Sequence, residues 1–211
     1  MVIPMKWSIF KWIGLFSLIP CLLFAEDNGG YVRHFDNFWQ RLIPRYAKIQ
    51  YAGSMGMFSF GGGWDYYRGH WETDFLVGFV PSDGYGDAHA TFTLKQNYYP
   101  WNIDVKGTRF SFEPLACGVY VNTIFGEDFW TRQPDKYPDG YYWFSTRIRT
   151  HIFLGERATI KLDPWKLPIH SVTLFYELST CDLYLINAIK NSALKPSDYL
   201  SLSFGVKLQI L

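Results

Sequence analysis

Hydrophobic and polar residues alternate one by one along most of the chain. The cleanest case is the C-terminal stretch, where Leu200, Leu202, Phe204, Val206, Leu208 and Ile210 share one face. Ser201, Ser203, Gly205, Lys207 and Gln209 share the other. A period of two is that of a strand with one face covered, because successive side chains point to opposite sides of a sheet. The same pattern places Trp71, Phe75, Val77 and Phe79 opposite Glu72, Asp74 and Gly78 in residues 71–80. It places Phe92, Leu94 and Tyr98 opposite Thr91, Thr93, Lys95 and Asn97 in residues 88–100. In residues 141–155, Tyr142, Phe144, Ile148, Ile152 and Leu154 oppose Ser145, Arg147, Arg149 and His151. Residues 110–124 and 171–180 alternate less cleanly, with Ser111, Glu113, Thr173, Glu177 and Ser179 on their polar faces.

Residues 48–67 read as one long glycine-rich strand whose faces the pattern does not assign. That makes seven strands, joined by turn-rich segments such as Pro81-Ser82-Asp83-Gly84 and Pro134-Asp135-Lys136. An eighth has one candidate, residues 181–190. There Ser179-Thr180-Cys181-Asp182 also resembles a capping box, and a short helix is the preferred reading. Residues 30–48 suggest a short helix or loop interrupted by Pro44.

The N-terminal segment sets the expected compartment. Lys6 and Lys11 precede an apolar run from Trp12 to Phe24, which stops at Ala25 before Glu26 and Asp27. This is the pattern of a secretory signal cleaved after Ala25. Lipidation at Cys21 is the rival, but Pro20 before it and the apolar residues beyond it fit poorly. The expected organisation is a signal peptide over 1–25, an N-terminal helix or loop over 26–47, and a β-domain over 48–211. Across all 211 residues the net charge is +1, which exerts no long-range pull on nucleic acid. Past residue 25 no apolar run reaches the ~18–20 residues of a membrane-spanning helix.

Many short strands make a sandwich or a barrel. Three features favour a barrel with lipid outside. Trp and Tyr gather near strand ends: Trp64, Tyr66, Tyr67 and Trp71; Tyr98, Tyr99 and Trp101; Tyr137, Tyr141, Tyr142 and Trp143. The polar faces carry few charges, and these balance. Glu72, Asp74, Glu113 and Glu177 stand against Lys95, Arg147, Arg149 and Lys207, an expected ion-pair network filling a narrow lumen. The chain also ends on a strand with one apolar face.

In signal segment, alternation, aromatic positions and the terminal YLSLSFGVKLQIL, the sequence resembles the small outer-membrane β-barrel proteins of Gram-negative bacteria. The resemblance covers most of residues 48–211 and carries no diagnostic motif. It implies an all-β fold, an antiparallel up-and-down transmembrane barrel of about eight strands. It implies an outer-membrane location with membrane lipids as partners. A soluble ligand-binding barrel reads the same alternation with its apolar face inward.

Some small outer-membrane barrels are acyl hydrolases or acyltransferases. The matching candidate here is His151 with Ser145 (or Ser179) as nucleophile and Glu177 as acid. The simpler reading gives those residues a structural role, so the leading expectation is a non-enzymatic barrel with a structural or surface-interaction role. His170 and Ser171 are adjacent and so point to opposite faces, unlike the His-x-Ser spacing expected of a lipid A deacylase. His70, Glu72 and Asp74 share a face, but same-face neighbours sit ~6.5–7 Å apart, which suits charged rim residues better than a metal site. Gly61-Gly62-Gly63 lacks the Lys-Ser/Thr of a phosphate loop. Cys117 and Cys181 form an even pair that can bridge after export, or serve as two small buried residues. No cofactor is called for.

Overall fold

A computed structural model describes residues 42–82, 87–126, 129–131, 145–162, 169–190 and 195–210. The chain divides into residues 1–43, of which only Leu42 and Ile43 are described, and residues 44–211, which hold every element below. The expected signal peptide, Pro134–Lys136 and the aromatics Tyr137, Tyr141, Tyr142, Trp143 and Phe144 lie outside the described residues.

Eight long antiparallel strands form the second unit: β1 (Tyr46–Ala52), β2 (Phe58–Tyr66), β3 (Trp71–Val80), β4 (His89–Tyr98), β6 (Phe110–Phe125), β7 (Ile148–Lys161), β8 (Ser171–Cys181) and β9 (Ser201–Gln209). A two-residue strand, β5 (Ile103–Asp104), pairs with the start of β6. Two helices, α1 (Asp182–Lys190) and α2 (Pro196–Tyr199), link β8 to β9. Each long strand pairs with its neighbour in sequence, and β1 pairs with β9, so the sheet closes into an up-and-down barrel. Closure leaves the barrel without the unpaired edge that exposes backbone groups.

Most of the expected strands stand within a few residues of their bounds, with two differences. Residues 48–67 are two strands, β1 and β2, not one, and the eighth strand is found there. The reversal at 52–56 uses left-handed backbone at Ala52, Gly53 and Gly56, while glycines inside β2 erase the alternation that would have marked its faces. Residues 181–190 form helix α1, apart from Cys181 closing β8. The strand expected over 141–155 shifts: β7 begins at Ile148 and runs on to Lys161, so Ser145 and Arg147 precede it.

The stagger of the barrel follows from register. Paired positions run from Asp65 through Glu72, Asn97, Gly118, Phe153 and Ser179 to Ser201. Extending the β1 registers two places at each side puts Asp65 opposite Pro44 and Ser201 opposite Ser54, ten residues along the same strand. Ten residues of ~3.3 Å over eight strands of ~4.8 Å give a tilt of roughly 40° and a radius of about 8 Å to the backbone. Side chains fill a tube of that width.

The faces are sorted by polarity in the sense opposite to a soluble core. Ile49, Phe60, Phe75, Val77, Phe79, Leu94, Val121, Leu154, Leu174 and Phe204 are all exposed on the outside. Lys48, Glu72, Asp74, Lys95, Glu113, Arg157, Glu177 and Lys207 are all buried inside. Large and small residues alternate around the tube. Inward Gly63, Gly118 and Gly205 each lie directly across from an inward aromatic ring, Tyr46, Phe153 and Phe175 respectively. A Cβ at any of the three would strike the facing ring.

Candidate functional site

The polar lumen is built in layers. Its lower end is the one where β1 begins and β9 stops; the upper end carries α1 and α2. In the lower half Glu72 accepts hydrogen bonds from Arg157 Nη1 at 2.6 Å, Lys207 Nζ at 2.5 Å and the Tyr99 hydroxyl at 3.3 Å. Arg157 Nε lies 3.0 Å from Glu113, and its guanidinium stacks 3.3 Å over the Tyr99 ring. Asp74 accepts from Lys48 Nζ at 2.7 Å, from Asn97 Nδ2 at 3.0 Å and from the Tyr46 hydroxyl. Glu177 holds Lys95 Nζ at 2.5 Å and the Gln50 amide at 3.3 Å. Three ammonium groups also lie over ring faces: Lys207 over Tyr46, Lys48 over Phe175 and Lys95 over Phe153.

Four buried carboxylates therefore face four buried cations, and the tube carries no net charge at this level. A buried ion costs several kcal/mol unless it is paired and its remaining hydrogen-bonding capacity is met. Glu72, Asp74 and Glu177 each have two or three donors, and Glu113 is paired with the Arg157 guanidinium, which meets most of that requirement. Rings packed against the ammonium groups leave those cations little water.

Above the charged layer sits an apolar one. Met55 turns in from the β1–β2 hairpin and packs with Leu76, Tyr120 and Phe153. Its carbonyl accepts from Ser59 at 3.3 Å and from the Thr91 hydroxyl, which fixes the hairpin over the tube. His151 stacks on Tyr120, centroids 4.5 Å apart and planes within 4° of parallel. Beyond His151 the upper mouth opens into a cavity of about 430 Å³, lined by Asn122, Arg149, His151, Cys181, Tyr184 and Ser201 among others.

Six of the eight residues expected in the ion-pair network, Glu72, Asp74, Lys95, Glu113, Glu177 and Lys207, meet in the charged layer. Arg147 and Arg149 do not. Arg147 precedes β7 and donates to the carbonyls of Gly126 and Phe129 at 2.9 and 2.6 Å. Arg149 lies at the mouth and pairs with Asp182. Lys48 and Arg157 take their places. Continuing the alternation of residues 141–155 by two positions puts Arg157 on the face of His151, and that is the signal the sequence offers for it.

The expected Ser/His/acid site is not assembled. Ser145 Oγ donates to the Trp130 carbonyl at 3.0 Å and accepts from the amides of Arg147 and Ile148. Ser179 Oγ donates to the Ser201 carbonyl at 3.4 Å. His151 faces Cys181 in register, four positions and ~13 Å along β8 from Glu177. His151 Nδ1 has no hydrogen-bond partner among the described residues.

Cys117 and Cys181 are both free thiols. They belong to strands separated by β7, with Cys117 outward like its partner Leu154 and Cys181 buried inside, so they cannot bridge. The His70–Glu72–Asp74 face is also dispersed. His70 Nδ1 lies 2.6 Å from the Tyr99 carbonyl, and the two carboxylates are held by the cations above. Gly61–Gly63 lie within β2, where Gly63 makes room for Tyr46.

The fold and site define a closed eight-stranded antiparallel barrel with a charge-neutral, side-chain-filled lumen. Comparison with known proteins finds no matching family model, no matching curated protein and no matching solved structure.

Proposed function

We propose that this chain is a small outer-membrane barrel of a Gram-negative cell, with a structural or surface-interaction role, whose lumen is plugged by its own side chains. The observation that carries the reading is the inverted sorting of polarity: large apolar side chains line the outside and ionic ones the inside. Hydrocarbon is the surrounding that such a wall suits, and a closed barrel satisfies every backbone group within it. The apolar outward positions of β3 span Trp71 to Phe79, ~26 Å along the strand and ~20 Å along the axis at the tilt above. That is close to the ~25 Å band of barrel proteins. Outward Tyr66, Trp71, Tyr98 and the neighbouring Trp101 sit near the lower end, where an aromatic girdle belongs.

No helix among the described residues is long and apolar enough to cross a bilayer, and in this reading the strands are the spanning elements. Eight strands put both barrel termini at one end. The connections there, residues 67–70, 99–109 and 162–170, are shorter than the two longest at the other end, 126–147 and 182–200. Short turns face the periplasm and long loops the exterior in this architecture, which makes the upper end the surface that meets partners.

The test is extraction and conductance. The protein is expected to need detergent, to migrate differently in gels before and after heating, and to give no large stable conductance in a planar bilayer. A monodisperse protein in plain buffer would falsify the membrane reading, and a steady open-pore current would remove the plugged lumen.

A further inference from the structure

Of the outward positions on the eight long strands, only one carries a carboxylate or a basic side chain: Glu156, on β7. On β2, β3 and β4 the outward polar side chains Tyr66, Thr73 and Gln96 form a set of mutual hydrogen bonds. Thr73 donates to Gln96 at 2.8 Å, and Gln96 donates to the Tyr66 hydroxyl at 2.7 Å and the Glu72 carbonyl at 3.1 Å. Glu156 has no such set. Tyr176 lies directly across on β8 and is the nearest hydroxyl in register. One hydroxyl supplies one donor, whereas a carboxylate accepts about four hydrogen bonds. Among the described residues no basic side chain forms an ion pair with Glu156.

The surroundings say what should complete it. Glu156 lines a crevice of about 260 Å³ on the outside of the barrel, walled by Phe112, Ala158, Leu174, Tyr176 and Phe204. Counting residues from Trp71 through the registers, and allowing for the stagger, Glu156 lies within roughly 5 Å in height of the lower aromatic girdle. That is the level at which headgroups meet acyl chains. An ionisable group on a lipid-facing wall is costly and calls for a partner.

We propose that Glu156, with Tyr176, is a headgroup site for an aminophospholipid of the inner leaflet: the lipid's primary ammonium pairs with the carboxylate while an acyl chain lies in the Phe112–Leu174–Phe204 crevice. A single carboxylate in an apolar crevice matches one ammonium on one chain. A basic side chain of another protein offers the same charge but needs a broader surface around it. The inference rests on the membrane reading above, whose failure shows separately, as solubility without detergent.

Native mass spectrometry of the detergent-extracted full chain, mixed with equimolar phosphatidylethanolamine, its N-methylated derivatives, phosphatidylcholine and phosphatidylglycerol of identical chains, tests it. The wild type is expected to retain phosphatidylethanolamine about three- to tenfold over phosphatidylglycerol, the range of one partly exposed charge pair. Retention should fall stepwise as N–H donors are replaced by methyl groups. Glu156→Gln should abolish the preference and leave phosphatidylglycerol retention unchanged, with folding checked by heat-modifiability. The methylation series needs no variant and decides the matter alone if Glu156→Gln fails to fold. Equal retention of all lipids by the wild type, or a preference that survives Glu156→Gln, overturns the proposal. A second polypeptide bound to the wild type and lost in Glu156→Gln overturns it in favour of a protein partner.

Discussion

The two faces of the same strands obey different rules. Along β3 the inward positions Glu72 and Asp74 each hold several named partners, contributed by β1, β4, β7 and β9. The outward positions Phe75, Val77 and Phe79 have mainly ring or methyl neighbours, such as Phe92 with Phe75. The inner face therefore depends on geometry, since a charge displaced by one position loses its partners and keeps its desolvation cost. In the membrane reading proposed above, the outer face depends on polarity alone, since acyl chains adapt to any apolar shape. A one-residue slip would exchange the two faces outright, so the charged layer and the apolar wall hold the same register from opposite sides.

Substitutions separate the two rules. The largest loss is expected for Glu72→Ala, which strands Arg157 and Lys207 in the lumen: about 3–5 kcal/mol, read as a shift of the urea unfolding midpoint in lipid vesicles. Replacing Lys95 and Glu177 together by Met and Leu should cost far less than Glu177→Leu alone, and equal losses would show that pairing is not what holds the layer. Next comes Phe75→Arg, midway along the Trp71–Phe79 span of the outer wall, at about 2–4 kcal/mol by the same measurement; a neutral result would mean that this wall does not meet hydrocarbon. Smaller still is Leu154→Ala on the outer wall, below ~1 kcal/mol, because lipid tails are as apolar as the leucine they replace.

Much of this is legible in the chain and some is not, for identifiable reasons. Alternation alone separates Glu72 and Asp74 from Phe75 and Val77, and Thr93 and Lys95 from Phe92 and Leu94, because a strand repeats every two residues whatever its partners. Lys48 escapes the pattern because inward Gly61 and Gly63 leave β2 without a polar face to recognise. Arg157 escapes it because β7 continues from Gly155, the last position of the expected strand, on to Lys161, and a glycine at that point blurs the period. The Ser145–His151–Glu177 grouping fails for a different reason. Sharing a face says nothing about height in the tube, and the stagger of the barrel spreads same-face residues along its axis.

Spacing and composition are local properties, and they were enough to show that the chain forms strands, which side is polar in the strands outside residues 48–67, and that the ionic residues balance. Which carboxylate meets which cation emerges from the closed barrel alone. Glu72 meets Lys207 across 135 positions of sequence and Lys95 meets Glu177 across 82, distances over which neither spacing nor charge carries any pairing information. Closure of the sheet with a ten-residue stagger brings those positions to one height, and that closure is a property of all eight strands at once.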